Sequence, residues 1–427
     1  MTELSAGGRS AEEILAEIDE LRADDVAHES GRVFSLVFHA GPEHEAVVAA
    51  AHERYLWANA LNPAAFGGLQ RMQRDVIAIT ASLLGGDDPA GSADGGLAGF
   101  MTSGGTESIL CAVEAAKVRW YERRPGADRG RVPNVVLPVT AHAAFDKGCR
   151  LFGLEPRRTP VDDRYRADVD AMAARVDDDT ALIVASAPQY PQGVIDPVTD
   201  VAAIALEHDL HFHVDACMGG YTLPFLAAEG LVDAEWDFRV EGVTTISADL
   251  HKYAYVPKGA SVIMHRDRES RRRQTFVFDG WLGGLYASPG LLGTRPGGPI
   301  AAAWASLQFL GRDGMARMAR TSYEARVQLD EGVRAIPGLD VLGRPDATLC
   351  AFGAAPGGPD IFAVGDRIAA RGWHLDRQGP PDNLHATCTP PQRGAVIDAL
   401  LADLATAVDE LGGARAEDRS ATYAGFE

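Results

Sequence analysis

The chain has 427 residues, of which 46% are hydrophobic and 23% are charged. A chain of this kind can bury more than one sizeable core, so a disordered protein is excluded and two domains are expected. The formal net charge of −20 argues against binding to nucleic acid or to an anionic membrane surface. The composition therefore favours a soluble globular protein.

The five cysteines are scattered along the chain and include no C-x-x-C pair. This spacing excludes a standard zinc ribbon and fits a reducing compartment. The N-terminal residues lack the basic and apolar regions of a signal peptide, and no apolar run reaches the roughly 18 residues of a membrane-spanning helix. We therefore expect a cytoplasmic protein without a membrane anchor.

Three helices are predicted first, over residues 11–25, 43–61 and 69–84, followed by a glycine-rich loop over 85–99. Beyond the loop, apolar β-branched runs alternate with helical periodicity, which indicates a mostly parallel α/β sheet with helices on both faces. The predicted strands are 134–139, 181–187, 211–216, 243–249 and 260–265. The helices between them are 107–123, 143–152, 168–176 and 198–209.

The last two predicted strands break the parallel pattern. Only ten residues separate Asp249 from Ala260, too few for a helical crossover, so we expect an antiparallel pair. A smaller C-terminal α/β domain is predicted from a helix over 300–333, a strand near 338–343 and helices over 360–371 and 391–411. The predicted division is an N-terminal helical segment (1–66), a large cofactor-binding domain (67–312) and a small domain (313–427).

The segment MTSGGTES introduces a helix whose apolar face begins at Ile109. Gly104 and Gly105 let the backbone approach an anion, and the unpaired N–H groups of the first helical turn point at it, with Thr106 adding a hydroxyl. A tight turn that caps a helix explains the same residues. The spacing fits neither a P-loop nor a G-x-G-x-x-G motif, so nucleotide binding is not predicted.

The segment HFHVDACMGG places Asp215 at the carboxyl end of an apolar strand, where open parallel sheets bind their ligands. A carboxylate there needs a cationic partner to stay charged. His211 and His213 alternate onto one face of the strand, which raises the question of a metal. Because no third ligand follows at a suitable spacing, packed histidines are the preferred interpretation and no metal site is predicted.

The segment SADLHKYAYVPKG places Lys252 at the end of the next strand. A buried lysine has a lowered pKa and becomes a nucleophilic amine that can form a Schiff base. A phosphate cradle, the strand-end Asp215 and the strand-end Lys252 together match what pyridoxal phosphate requires. His142 follows the strand at 134–139 and could stack on the cofactor ring, although a structural histidine at a strand end explains it as well.

Five segments carry a resemblance to a known family: TSGGTES, AHAAFDK, HVDACMGG, ISADLHKYAYVPKG and LYASPGLLGTRPGG. They resemble the sphingosine-1-phosphate lyase family, which comprises fold-type-I pyridoxal-phosphate enzymes related to the group II amino-acid decarboxylases. The resemblance runs from Gly31 to Gly298, with a weaker echo in GWHLD of the C-terminal domain. It implies the PLP-dependent transferase fold type I, pyridoxal 5'-phosphate as cofactor and a homodimer with shared active sites.

The resemblance also implies roles for individual residues. Lys252 would form the Schiff base, Asp215 would pair with the ring nitrogen, and Thr294 would reach the phosphate from the other subunit. The implied catalytic residues are Lys252, His142 and Tyr190. The implied cofactor-binding residues are Gly104, Gly105, Thr106, His142, Asp215, Ser247, His251, Lys252 and Thr294. The implied substrate-binding residues are Phe38, Asn59, Asn62, Lys258 and Arg295.

Two positions depart from the family pattern. Phe38 stands where the family carries a tyrosine, and Asn62 stands where it carries a histidine. Both positions help to bind the substrate phosphate in the family, and each lost charge-assisted donor costs about 1.5–3 kcal/mol. The departures therefore bear on whether the substrate is phosphorylated, while Lys258 is retained for an anionic group.

The function that the resemblance implies is retro-aldol cleavage of a 2-amino-3-hydroxy substrate, phosphorylated or not, to an aldehyde and an ethanolamine-type amine. The alternative with the same cofactor is an amino-acid decarboxylase. That activity would need a cation for the substrate carboxylate, for which Lys258 and Arg295 are the candidates.

Overall fold

The computed structural model describes residues 7–62, 64–86, 96–124 and 130–421. A seven-stranded sheet lies at its centre, in the order β1-β7-β6-β5-β4-β2-β3. The strands are β1 (Ala98–Thr102), β2 (Asn134–Pro138), β3 (Glu155–Thr159), β4 (Thr180–Ser186), β5 (His211–Asp215), β6 (Thr245–Ala248) and β7 (Ser261–His265). Strands β2 to β6 pair in parallel, and β7 pairs antiparallel with both β6 and β1.

This topology confirms the predicted mostly parallel sheet and the predicted antiparallel pair of β6 and β7. Strands β1 and β3 were not predicted. The pattern did not mark β1, which directly follows the glycine-rich loop, most of which lies outside the described residues. Strand β3 reads EPRRT, because it forms an edge of the sheet and its charged side chains stay in solvent.

The chain before the last strand of this sheet and directly after it also forms helices. They are α1 (Ala11–Leu21), α2 (Pro42–Arg54), α3 (Gly67–Leu83), α4 (Gly105–Glu122), α5 (Ala144–Phe152), α6 (Val169–Ala173), α7 (Val198–Glu207), α8 (Leu223–Ala228) and α9 (Arg268–Arg272). Every residue of strands β2, β4, β5, β6 and β7 is buried, as expected for a sheet that is covered on both sides. Among the described residues, no helix combines the length and the apolar character needed to cross a membrane.

The helix predicted over 43–61 is too long, because α2 ends at Arg54. Two asparagine side chains shape the turns that follow. Oδ1 of Asn59 accepts from the backbone N–H of Leu61 at 2.9 Å, and Oδ1 of Asn62 accepts from that of Ala64 at 3.1 Å. Bonds of this kind offer the backbone an alternative to helical hydrogen bonds.

A hairpin of β8 (Phe276–Phe278) and β9 (Tyr286–Ser288) leads to the long helix α10 (Gly298–Ala335). This helix changes direction at Gly311, whose φ of 59° and ψ of −174° are accessible to glycine and costly for other residues. The N-terminal half of α10 packs in the core of the large sheet, and its C-terminal half packs in the second core.

The second core belongs to a four-stranded antiparallel sheet in the order β10-β11-β13-β12. Its elements are β10 (Leu339–Val341), β11 (Leu349–Ala354), α11 (Ile361–Ala369), β12 (Asp376–Gln378), β13 (Asn383–Thr387) and α12 (Ala395–Asp409). The N-terminal chain joins this sheet, since Phe34 donates its N–H to the carbonyl of His374 and accepts from the N–H of Thr387. The division at residues 66 and 312 stays a prediction.

Candidate active site

The carboxyl ends of five strands meet at one edge of the large sheet. Strands β2, β4, β5 and β6 are parallel, and β1 runs in the same direction because both it and β6 are antiparallel to β7. The loops that follow these strands enclose a cavity of about 310 Å³. Its walls include eight of the predicted site residues: Gly104, Gly105, Thr106, His142, Tyr190, Asp215, His251 and Lys252.

Lys252 lies in the turn after β6, beside a carboxylate that sequence reasoning did not assign to the site. Nζ of Lys252 is 3.0 Å from Oδ2 of Asp249, and Nε2 of His251 is 3.4 Å from the same oxygen. Burial alone would raise the pKa of Asp249, but the charges of Lys252 and His251 hold this pKa well below its usual range. Asp249 therefore stays ionised and balances the charge of Lys252.

Asp215 ends β5 on the floor of the cavity, and its side chain is buried with 8% of its surface exposed. Its Oδ1 accepts hydrogen bonds from the backbone N–H of Cys217 at 3.1 Å and from the hydroxyl of Ser247 at 3.2 Å. Both bonds reach the same oxygen, so Oδ2 is the oxygen available to a cation in the cavity. The geometry fits a carboxylate that is held for a charged partner.

Ser247 was predicted to bind the cofactor phosphate, and the structure places it elsewhere. It is fully buried in β6, where it bonds to Asp215 and to Nε2 of His213 at 3.1 Å. Alternation along the strand turns this side chain toward β5, so it supports Asp215 and does not line the cavity. His213 and His211 also bond to Thr245, which agrees with the preferred interpretation of packed histidines.

The glycine-rich turn between β1 and α4 forms one wall of the cavity. A Cβ atom on Gly105 would come within 2.9 Å of both Asp249 and Sγ of Cys217, closer than real contacts allow, so only glycine fits this position. The first-turn N–H groups of α4 face the cavity without intrahelical partners. Glu107 fastens the turn, since it accepts from the N–H of Ser103 at 2.7 Å and from the N–H of Leu291 at 3.0 Å.

His142 follows β2 and lines the same cavity as the glycines. Its Nδ1 accepts from the backbone N–H of Ala144 at 3.0 Å, which leaves the other ring nitrogen to carry the proton. Burial lowers its pKa, with the charge of Asp215 opposing that shift and the charge of Lys252 adding to it. The ring is therefore mostly neutral at physiological pH.

Tyr190 follows β4 and is held by the small domain. Its hydroxyl donates to Oδ2 of Asp376 at 2.8 Å, and its ring packs on His385 with the centroids 4.1 Å apart. His385 also donates from Nε2 to the carbonyl of Tyr190 at 2.9 Å. Neither partner was predicted, although Asp376 is the last residue of GWHLD, the segment that carried the weaker resemblance.

The donor set of this cavity fits pyridoxal phosphate. A lysine amine, a buried carboxylate at a strand end and a helix N-terminus opening on glycine are the groups that bind its carbonyl, ring nitrogen and phosphate. Among the described residues, Oδ1 of Asp249 and Nδ1 of His251 are buried without a hydrogen-bond partner. Buried polar atoms of this kind favour a site that a further polar group completes.

Seven of the predicted residues do not line the cavity. Four of these seven lie together in two loops: Asn59, Asn62, Thr294 and Arg295. Nδ2 of Asn59 is 3.4 Å from the hydroxyl of Thr294, and the two segments are joined by a bridge between Asn59 and Pro296. Thr294 is exposed, and Asn62 is exposed at the end of its turn. The predicted contact of Thr294 with the site of a second subunit stays a prediction.

Arg295, a predicted substrate-binding residue, is not among the residues that line the cavity. Its side chain is buried, with hydrogen bonds to the side chain of Gln73 and to the carbonyls of Met101 and Ala60, and its guanidinium lies 4.4 Å from the ring centre of Phe100. These contacts use three of the five N–H donors of the guanidinium. They hold Arg295 within the chain, and its predicted role in substrate binding stays a prediction.

Lys258 and Phe38 lie together beside the loop between β6 and β7, residues 249–260, which carries Lys252 and is called the lysine loop below. Nζ of Lys258 donates to the carbonyl of His251 at 3.1 Å and lies 5.0 Å from the ring centre of Phe38, which packs edge-on against Tyr253. Lys258 is an exposed residue, but its ammonium is partly withdrawn from water by the carbonyl of His251 and the ring of Phe38. This burial lowers the pKa of Lys258 to about 8, helped by the charge of Lys252 and opposed by that of Asp249.

Comparison with known proteins agrees with this geometry. Residues 2–354 match the family described as the pyridoxal-dependent decarboxylase conserved domain. The chain is 38% identical to the sphingosine-1-phosphate lyase of Arabidopsis thaliana over 93% of its own length and 72% of that protein. It is 37% identical to sphingosine-1-phosphate lyase 1 of Rattus norvegicus over 90% of its length and 66% of that protein. The chain belongs to the sphingosine-1-phosphate lyase family.

Solved structures extend this result to the fold of the lyase. The sphingosine-1-phosphate lyase of Burkholderia pseudomallei superposes with a TM-score of 0.90 at 37% identity, over 96% of this chain and 93% of that one. The glutamate decarboxylase of Lactobacillus brevis superposes with a TM-score of 0.84 at 19% identity, over 96% and 95% of the two chains, which shows the shared fold alone. The predicted fold type I and the predicted cofactor, pyridoxal 5'-phosphate, are confirmed.

Proposed function

We propose that this lyase cleaves the Cα–Cβ bond of a 2-amino-3-hydroxy substrate, phosphorylated or not, releasing an aldehyde and an ethanolamine-type amine. The observation that carries the proposal is that Lys252 and Asp215 face one cavity from the ends of neighbouring strands. The names of the relatives supply the reaction class. An amino-acid decarboxylase is not proposed, because the relatives that share more than a third of the sequence over most of this chain are named lyases.

When bound, pyridoxal phosphate supplies an electron-withdrawing ring that weakens the bonds at Cα of the substrate amine. Lys252 would hold its carbonyl carbon, and the first turn of α4 with Thr106 and His251 would hold its phosphate. Asp215 would keep the ring nitrogen protonated, since a carboxylate fixed by two hydrogen bonds stabilises a cation beside it. These assignments use residues that line a single cavity.

Cleavage requires that the proton of the substrate 3-hydroxyl leaves as the Cα–Cβ bond breaks and that a proton is returned to the amine fragment. Two uncharged groups in the cavity can exchange protons with a substrate, the imidazole of His142 and the hydroxyl of Tyr190. The lowered pKa of His142 keeps its ring neutral, with the proton on Nε2 because Nδ1 accepts from Ala144, so His142 would donate to the substrate and could supply the proton that the amine fragment takes up. Tyr190 would be oriented for the substrate by Asp376 and His385.

Lys258 is proposed to attract the substrate phosphate. Its pKa of about 8 means that the ammonium is mostly charged at pH 7 and mostly neutral above about pH 9. We expect kcat/KM for a phosphorylated substrate to fall as pH rises through 8, because a neutral amine no longer attracts the anion. Lys258→Met should lower kcat/KM at pH 7 and remove this decline, while Lys147→Met, an exposed lysine of α5, should keep both. An unchanged profile in Lys258→Met would contradict the assignment.

The phosphate contact differs from the family pattern at Phe38. A lysine acts as a point charge, and the phenyl ring beside it offers no hydroxyl donor to fix a phosphate. We therefore propose weak affinity for sphingosine 1-phosphate, or a preference for a smaller or differently charged head group. Replacing Phe38 by tyrosine together with Asn62 by histidine would test this point through kcat/KM on sphingosine 1-phosphate.

The experiment that tests the reaction class is product analysis. Phosphorylated and unphosphorylated 2-amino-3-hydroxy compounds of several chain lengths would be offered to the cofactor-saturated enzyme, with amino acids as competitors. We expect stoichiometric aldehyde and amine and no carbon dioxide. Release of carbon dioxide from an amino acid without aldehyde would overturn the proposal.

We also propose that the lyase acts as a homodimer. The apolar hairpin, residues 276–288, exposes six large side chains that a partner surface would cover: Phe276, Val277, Phe278, Trp281, Leu282 and Leu285. A second copy would also give exposed Thr294 a site to complete. Leu282→Asp with Leu285→Asp should yield an inactive monomer in sedimentation experiments, whereas Leu151→Asp on α5 should leave the dimer intact. An active monomer would contradict this arrangement.

A cytoplasmic location is proposed from the cysteines. All five are free and buried, which suits a reducing compartment where thiols stay unpaired. Fractionation of the source cells tests this point, and recovery of the activity with membranes would contradict it.

A further inference from the structure

Two histidines and a glutamate come together outside the active-site cavity. His28, in a short 3₁₀ turn, His39, in the following loop, and Glu45, in the first turn of α2, each offer one ligand atom, and these atoms all lie within 4.8 Å of one another. We propose that these three side chains bind a divalent transition-metal ion of the Zn²⁺ type. The spacing along the chain matches no known metal motif, and so the sequence did not indicate the site.

The donor set suits such an ion. Two imidazole nitrogens and one carboxylate oxygen are the three protein ligands of many zinc sites, with water in the fourth position. Ligand atoms around a tetrahedral Zn²⁺ lie about 3.3 Å from one another. Side-chain rotations that move the ligand atoms by a distance on the order of 1 Å would therefore bring this cluster to the spacing that coordination requires. Burial is intermediate for all three residues, which leaves room for the ion to enter.

The existing contacts are compatible with replacement of a proton by a metal ion. Nδ1 of His39 bonds to a carboxylate oxygen of Glu45, and a bound ion would take the place of the proton that joins them. A second carboxylate, that of Glu29, lies 3.4 Å from Nε2 of His28. Two carboxylates beside two imidazoles give this cluster a negative charge that attracts a cation.

The position of the cluster indicates what the ion would do. The chain before the loop is tied to the small-domain sheet through Phe34, and the chain after it begins α2, whose His44 bonds to Ser306 of α10. An ion held by His28, His39 and Glu45 would therefore clamp the loop between the two domains. Phe38, next to His39, packs against Tyr253 and Lys258, so the same ion would stabilise the wall beside the lysine loop.

The test is Zn²⁺ binding by tag-free enzyme saturated with cofactor and dialysed against a chelator. Calorimetry should find one ion per chain, and Co²⁺ should give the visible absorption of a tetrahedral complex. Removing one of three protein ligands should weaken binding by at least about 100-fold, the upper end of the loss seen when an outer partner of a metal ligand is removed. The variants are His28→Asn, His39→Gln and Glu45→Gln, with the exposed His208→Asn at the end of α7 as the matched control.

A second measurement uses stability, since an ion that binds only the folded chain raises Tm. Zn²⁺ should raise the Tm of the unchanged enzyme and of His208→Asn and leave that of the ligand variants unaltered. If one variant fails to fold, as judged by circular dichroism, the other two decide the outcome. The proposal is overturned if the unchanged enzyme takes up no Zn²⁺, or if all three ligand variants bind it as tightly as the control.

Discussion

Replacing Lys252 by alanine should abolish the covalent attachment of pyridoxal phosphate and reduce turnover to the background. No second amine can substitute easily, because Lys258 is turned toward the carbonyl of His251 on the far side of the loop. The variant should still fold, since His251 remains as a partner for the buried Asp249. The measurement is the visible absorption of the cofactor after borohydride reduction, together with aldehyde release.

A matched pair of variants separates loss of the amine from loss of charge. Lys252→Arg keeps a cation beside Asp249, but a guanidinium does not lose its proton and cannot attach the cofactor. We therefore expect it to be as inactive as the alanine variant and more stable. Lys147→Ala should retain both the chromophore and the activity. A borohydride-reducible chromophore with full turnover in Lys252→Ala would show that another amine holds the cofactor.

Replacing Asp215 by asparagine should leave the cofactor bound and lower turnover steeply. The amide oxygen can still accept from Cys217 and Ser247, so the fold of the strand end is preserved. The charge that keeps the ring nitrogen protonated is lost, however. A charge-assisted hydrogen bond contributes about 1.5–3 kcal/mol, so its loss should lower kcat by a factor of roughly 10 to 150.

The control for this substitution is Asp200→Asn, an exposed carboxylate in the first turn of α7. It removes the same charge from the chain without touching the cavity. Single-turnover rates on a common substrate would compare the two variants, with bound cofactor measured in parallel. Asp215→Asn with the rate of the unchanged enzyme would mean that the ring nitrogen is protonated by another group.

Much of the fold was predictable because both faces of the central strands are buried. A short continuous apolar run such as residues 181–187 predicts a strand that is buried on both faces, and β4 lies there. Strand β3 was not predicted, because an edge strand can carry charged side chains that are exposed or half-buried and then shows no apolar run. The helix predicted to 61 ends at Arg54, and the side chains of Asn59 and Asn62 hold the residues that follow in turns.

The site was predictable where functional residues follow the ends of predicted strands. Lys252, Asp215 and the glycines follow strand ends and were placed in one cavity. Ser247 and Arg295 lie outside the cavity lining, which the sequence could not show because it does not say toward which neighbour a strand or loop side chain turns. Asp249 is only three residues before Lys252 in the sequence, but it was not assigned to the site because the turn between them, which brings the two charges to 3.0 Å, was not predicted.

The partners of Tyr190 set the order in which a working enzyme can be made. Asp376 and His385 leave the ribosome nearly two hundred residues after the tyrosine that they hold. Phe34, which forms backbone hydrogen bonds with His374 and Thr387, is separated from its partners by an even longer stretch of chain. Domains generally fold in the order of their synthesis, so the large sheet is complete while its tyrosine is still loose. A chain that is truncated before the small domain would therefore lack the two residues that hold Tyr190, and we expect it to be inactive. Translation of a truncated mRNA would then produce an inactive protein and not an unselective enzyme.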